Sequence, residues 1–355
     1  MFSLRNRTAA VALLAIAGLA GAALAGTEPR TDWKEFVSPD EGQAFPGFAK
    51  EINALQDSAA QSTGLKVDRA FHAKHHNVVK AELKIINDAL PEAQRAGIFA
   101  QNQAYKTWVR LSNGQGKAQA DRSPDVRGFA VKIMGVPGQA LTAGLASWDL
   151  LCINFEAQPA RDINQFMAIV RAAGNPLTLP IKLAAALGLR ESGRVLAFLA
   201  THLGKRVNSM ASTDFYSALP MACGKFAMKV RFQPKNEDSV AAASDADYLR
   251  HDLEARLKKG DLKWDMLVQF YNDEHATPIE DASVAWSAPF IKVGELTMTQ
   301  RDLTSTASVA DEAEGNGLLW NPWHAPVEHR PLGSLMRARR VVYPASGAHR
   351  GATHE

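Results

Sequence analysis

The chain has 355 residues, 46% of them hydrophobic, with 40 basic and 37 acidic side chains and two cysteines. So even a balance argues against the basic footprint of a nucleic-acid binder. The length buries a large core and allows either two domains or one enlarged domain. Cys152 and Cys223 lie in apolar, strand-like runs and read as buried free thiols, with pairing left open.

Residues 1–25 read as a cleavable export signal. Arg5 and Arg7 form a basic start, an apolar run follows from Ala9 to Ala22, and Ala23-Leu24-Ala25 is a small-x-small cleavage site. The run is shorter than the ~20 apolar residues of a bilayer span. The mature chain is expected to start at Gly26, to be periplasmic or secreted, and to have no membrane span. Removing the signal takes two arginines and no acid, leaving 38 basic against 37 acidic side chains.

Residues 26–65 read as an N-terminal arm with an amphipathic helix around Phe48 to Asp57, and 66–355 as one domain. Strand patterns follow at Lys106–Ser112, Arg127–Met134 and Asp149–Asn154, then helical patterns at Asp162–Ala173 and Leu177–His202. Further strands are expected at Lys225–Phe232, Lys263–Tyr271 and Lys292–Met298, with an amphipathic helix at Asp245–Lys259. Strands mixed with helix runs, without regular alternation, give an α+β class. The aromatic, turn-rich segment Leu319-Trp320-Asn321-Pro322-Trp323-His324 reads as packing. It leads to a short helix carrying Arg339 and Tyr343, which Pro344 should end.

Arg339 and Tyr343 are four residues apart, so a helix sets the guanidinium against the phenol oxygen. A fixed cation there favours the phenolate and lowers a pKa that is otherwise near ~10. A phenolate can ligate haem iron, and an imidazole on the opposite face can move protons on a bound peroxide. His72 and His76 would also share a helical face, as metal ligands do. No carboxylate accompanies them at a known spacing, and His75 and His76 read as solvated.

Several segments, in order, resemble the catalase family. Arg69-Ala70-Phe71-His72-Ala73-Lys74 is similar to its distal histidine motif, and Val109-Arg110-Leu111-Ser112 to its V-R-F-S strand. Asp125-Val126-Arg127-Gly128-Phe129-Ala130-Val131-Lys132 is similar to D-P-R-G-F-A-V-K, and Trp148-Asp149-Leu150-Leu151 to W-D-L-V. Arg161-Asp162 and Phe166 keep the family's spacing, as do Tyr343 and Arg350. The resemblance runs from about Arg69 to Phe166 and from Pro331 to Arg350.

The resemblance implies an antiparallel β-barrel core enclosing a haem pocket, with flanking helices. It implies haem b, held non-covalently since no C-x-x-C-H occurs, with Tyr343 as the axial iron ligand. Arg69, Arg110 and Arg350 would bind propionates, Phe166 would pack on the haem, and Arg339 would serve Tyr343. His72, oriented by Ser112, would move the peroxide proton, and Arg127 would be structural. Where the family reads D-L-V-G-N-N, this chain reads Asp149-Leu150-Leu151-Cys152-Ile153-Asn154. The distal asparagine position holds Ile153, so Asn154 supplies the catalytic amide only if the strand register shifts.

The type that the resemblance implies is the small, minicatalase-like haem protein. The expected function is a haem-dependent peroxidase or weak catalase of the cell envelope. It would reduce hydrogen peroxide or organic hydroperoxides through an oxyferryl intermediate. Its partners would be the peroxide and a small-molecule electron donor, with a homo-oligomer left open. A fatty-acid hydroperoxide lyase or isomerase using the same haem is the alternative. A non-enzymatic haem binder is another, against which His72 and Arg339 argue.

Overall fold

In the computed structural model, residues 28–175, 177–236 and 245–354 are described. The expected signal and its cleavage site lie outside them. Nine strands run in the order β1 His75–Ile85, β2 Ala104–Asn113, β3 Arg127–Met134, β4 Ser147–Ile153, β5 Phe215–Tyr216, β6 Met221–Cys223, β7 Phe226–Pro234, β8 Leu262–Phe270 and β9 Ile291–Met298. The helices are α1 Glu41–Thr63, α2 Ile163–Ala172, α3 Leu179–Leu203, α4 Tyr248–Lys259, α5 Thr306–Gly317 and α6 Ser334–His349.

Strands β1 to β4 pair in succession, β4 pairs β5, β5 pairs β7, and β7, β8 and β9 lead back to β1. This closes an eight-stranded antiparallel barrel, with β6 added beside β7. Closure removes the exposed edges that an open sheet would carry. Alternation along each strand sorts the side chains. Val109 and Leu111, Phe129 and Val131, and Leu150 and Cys152 fill the barrel. Arg110, Ser112, Gly128, Ala130, Leu151 and Ile153 have the opposite parity and line the outer wall. Helix α4 plugs the barrel with Tyr248, Leu249, Leu253 and Leu257, at the spacing of one helical face.

The expected β2, β3 and β4 and the later strand and helix positions fit this fold. Strand β1 was not expected, although Val79, Ala81, Leu83 and Ile85 alternate with Lys80, Glu82 and Lys84. Helix α5 and the short β5 and β6 were also not expected. Both cysteines are free and buried.

Helix α6 contradicts one expectation, because it continues through Pro344 to His349. Proline removes the bond to the Arg340 carbonyl, but Arg340 is exposed and water can satisfy that group. Tertiary packing holds the rest. Leu335, Met336 and Ala338 pack with Phe45, Phe48 and Ile52 of α1 and with Ile163 and Met167 of α2. The N-terminal arm adds a charge clamp, in which Arg337 bonds Glu35 and Glu41 at 2.7–2.9 Å and Glu280 at 2.8 Å. Burial of apolar surface and charge-assisted bonds thus fix α6 against the barrel.

Candidate active site

A cavity lies between the outer wall of β2–β4 and helices α1, α2 and α6, rather than inside the barrel. It contains about 1250 Å³ of atom-free space, part of it open to solvent. The sequence-predicted His72, Ser112, Arg69, Arg110, Phe166, Arg339, Tyr343 and Arg350 all line it.

His72 does not lie on a helix but at the end of an irregular loop, with φ of 60°. A non-glycine residue in the left-handed region is strained and persists only where its surroundings fix it. Its N–H donates to the Gly114 carbonyl at 2.9 Å, and its carbonyl accepts from Arg110 Nη2 at 2.7 Å. The ring packs over Gly128, with Nδ1 3.0 Å from Ser112 Oγ. Burial, with Arg110, Arg339 and Arg69 nearby, lowers its pKa from 6.5 to about 3. The imidazole is therefore neutral at ordinary pH.

His76 corrects the solvated reading. It is fully buried on β1, with Nε2 2.9 Å from Asn113 Oδ1. Among the described residues, no group of three or more His, Cys, Asp or Glu is placed to hold a metal ion.

Arg69, Arg110 and Arg350 crowd one end of the cavity. Arg69 donates through Nη1 to Asn316 Oδ1 at 3.1 Å and through Nη2 to the Asn316 carbonyl at 2.7 Å. Arg110 Nε reaches the same Oδ1 at 3.0 Å, and Arg350 Nη2 reaches the Leu318 carbonyl at 2.9 Å. Among the described residues, the only acid paired with them is Asp68, 3.4 Å from Arg69 and half exposed. Burial and mutual repulsion push Arg69 well down; burial lowers Arg110 to about 10 and lowers Arg350 as well. Uncompensated buried cations are costly, so this cluster is built for an anion.

Tyr343 and Arg339 come from α6. The Arg339 guanidinium does not meet the phenol oxygen but stands over the ring, 5.5 Å from its centroid. This corrects the expected contact: four residues on a helix bring the side chains together, but the arginine lies across the π-face. Among the described residues, no hydrogen bond reaches the Tyr343 hydroxyl. The apolar walls include Ile52, Leu151, Ile153, Ile163, Met167 and Leu319, and Phe166 meets Phe71 edge-on at 6.0 Å.

Asn154 is not brought into the cavity. Its Oδ1 accepts from Arg127 N at 2.8 Å and its N–H donates to the Arg127 carbonyl at 3.1 Å. The register sets Ile153 opposite Gly128 and turns Asn154 away. Arg127 is buried and bonds Asn113 and the Asp121 carbonyl, a structural position. Trp320, read as packing, also lines the cavity. Asn316 was missed altogether, because nothing in the sequence marks an asparagine near the end of α5 as a guanidinium acceptor.

The donor set fits a haem. Among the described residues, Arg110 and Arg350 have no acidic partner and Arg69 has only the half-exposed Asp68, a tyrosine hydroxyl is unbonded, and the surrounding walls are apolar. No family model matches the chain. The catalase-related peroxidase of Mycolicibacterium paratuberculosis is 29% identical over 322 residues, covering 85% of this chain and 95% of that protein. A fungal catalase superposes with a TM-score of 0.63 at 19% identity, over 84% of this chain and 63% of that one. Catalase A from Saccharomyces cerevisiae gives 0.62 at 18% identity, over 84% and 64% respectively. The chain therefore spans under two thirds of the length of these catalases, while covering nearly all of the curated peroxidase. By its barrel, its helices and these likenesses, the chain has a catalase-like α+β fold.

Proposed function

We propose that the protein is a haem-dependent peroxidase with weak catalase activity, exported to the cell envelope by its N-terminal signal. The observation that carries the reading is the joint lining of one cavity by a neutral, half-buried His72, a free Tyr343 hydroxyl and a cluster of arginines. Arg69, Arg110 and Arg350 would hold the propionates of haem b, and Tyr343 would offer its iron an oxygen ligand. When bound, the haem supplies the redox chemistry of peroxide reduction.

The chain's own residues supply positioning and proton movement. His72 accepts the proton of the near peroxide oxygen and returns it to the departing one. It is available at ordinary pH because burial and three arginines keep it unprotonated. Ser112 fixes the ring, and Arg110 holds the strained His72 backbone. Ile153, Leu151 and Phe166 keep bulk water away and favour organic hydroperoxides beside hydrogen peroxide. An electron donor completes peroxidase turnover.

A lyase or isomerase acting on fatty-acid hydroperoxides would use the same apolar walls without a donor. The test is turnover by the haem-loaded protein with and without an organic donor. Donor-dependent peroxide consumption that falls in His72→Ala supports the peroxidase. Donor-independent rearrangement of an organic hydroperoxide replaces it with the alternative, and haem binding without turnover leaves a haem binder.

A further inference from the structure

Helix α3 carries more apolar surface than its own domain uses. Leu179, Leu183 and Leu187, each four residues apart, pack with Ala172 and Val195 against α2. Two residues along a helix is a rotation of about 200°, so Ile181 and Ala185 point the other way. There Ile181 is 73% exposed, and Leu177, just before the helix, is 88% exposed. At Gly188 the backbone leaves helical geometry, with φ of 77° and ψ of 166°, and Leu189 beyond it is 84% exposed. A helix apolar on both faces normally has both covered.

The charge around this knuckle identifies its cover. No acidic residue occurs from Ile163 to Arg190. Lys182 and Arg190 are exposed there and, among the described residues, neither has an ion pair. Arg171 and Arg194, by contrast, are bonded to Glu51 and Glu191. Large exposed side chains rimmed by unpaired cations match an anionic lipid surface, where leucines enter the acyl boundary and cations meet phosphate. Two copies of the same face would set these cations against one another. Among the described residues, no helix is long and apolar enough to cross a membrane, so the contact is peripheral.

We infer that Leu177, Ile181 and Leu189, with Lys182 and Arg190, form a docking surface for an anionic phospholipid bilayer. The surface is independent of the cofactor reading. Because α2 both packs on α3 and lines the cavity through Phe166 and Met167, docking would set the cavity beside the membrane.

The test is flotation of the purified full chain with vesicles of phosphatidylcholine alone or mixed with phosphatidylglycerol, at low and high salt. We expect binding to the anionic vesicles that weakens with salt. The triple variant Leu177→Gln, Ile181→Gln, Leu189→Gln should lose it by about tenfold or more. Lys182→Gln with Arg190→Gln should lose the salt-sensitive part. Circular dichroism of both variants should match the parent, since every changed side chain is exposed. Failure of the parent to float, or equal flotation of parent and triple variant, overturns the proposal. So does a parent dimer that ignores vesicles and dissociates in the triple variant, because a second copy then covers the face.

Discussion

Gly128 lies directly beneath His72. A Cβ on residue 128 would stand 2.5 Å from the imidazole Nδ1 and 2.7 Å from Ser112 Oγ. Strand β3 therefore makes room for the ring and its hydroxyl partner by omitting a side chain where every larger residue collides. We expect Gly128→Ala to displace His72 and lower peroxide turnover by roughly 10²-fold, the scale of one proton-transfer group. Overpacking should cost about 1–3 kcal/mol. Steady-state kinetics and urea unfolding measure the two effects. Unchanged turnover would mean that His72 does not work from this position.

Asn316 is the acceptor shared by Arg69 and Arg110. Asn316→Leu leaves two buried guanidiniums without it and should destabilise the protein by about 1–3 kcal/mol. Asn316→Asp should do the opposite to the haem-free protein, because a carboxylate compensates the cluster. The same change should weaken haem binding, since it competes with the propionates. Opposite signs for urea stability and haem affinity are the outcome to look for; a parallel change would remove the anion-site reading.

Ile153 faces the cavity and Asn154 does not. Ile153→Asn should raise oxygen release from hydrogen peroxide relative to donor oxidation, severalfold if an amide there positions the peroxide. Asn154→Ala should leave that ratio unchanged and cost about 1 kcal/mol through the lost bond to Arg127 N. An oxygen electrode beside a donor assay separates the pair.

Two buried histidines, His76 and His329, and the half-buried His72 set the response to acid. Burial lowers the pKa of His72 from 6.5 to about 3, and those of His76 and His329 to about 4. Below pH 6.5 the unfolded chain takes up protons that the folded protein refuses, so stability falls with pH. The loss begins near pH 6.5 and ends as the folded groups protonate near pH 4 and 3. Each group contributes up to about 1.4 kcal/mol per pH unit in that window. Urea midpoints from pH 7 to 4.5 should decline, and His329→Phe should flatten the slope. That residue stacks on Trp148 at 4.3 Å, away from the cavity lining. A midpoint constant over this range contradicts the assignment.

What could be read in the sequence follows from how local the signal was. Strands β2 to β4 declare themselves through alternation and contiguous motifs that carry Ser112 and Arg110 to the cavity, and the R-x-x-H-A-K motif in the loop before β1 brings His72 to the same place. The Asn154 position depended on register, which motif spacing alone does not fix, and pairing with β3 settled it. Arg339 and Tyr343 share a helical face as expected, yet rotamer and packing put the guanidinium over the ring. Pro344 is a local stop signal overruled by tertiary packing of α6 against α1. Asn316 has no local signature, because its partners lie 247 and 206 residues away.

The most direct measurement is a haem titration of the purified chain and of Tyr343→Phe, followed by visible absorption. We expect the parent to bind one haem with the spectrum of a five-coordinate ferric tyrosinate. Tyr343→Phe should keep its fold by circular dichroism and lose that spectrum, with greatly weakened retention. A parent that binds no haem, or a variant whose spectrum and affinity match the parent, would contradict the haem site on α6.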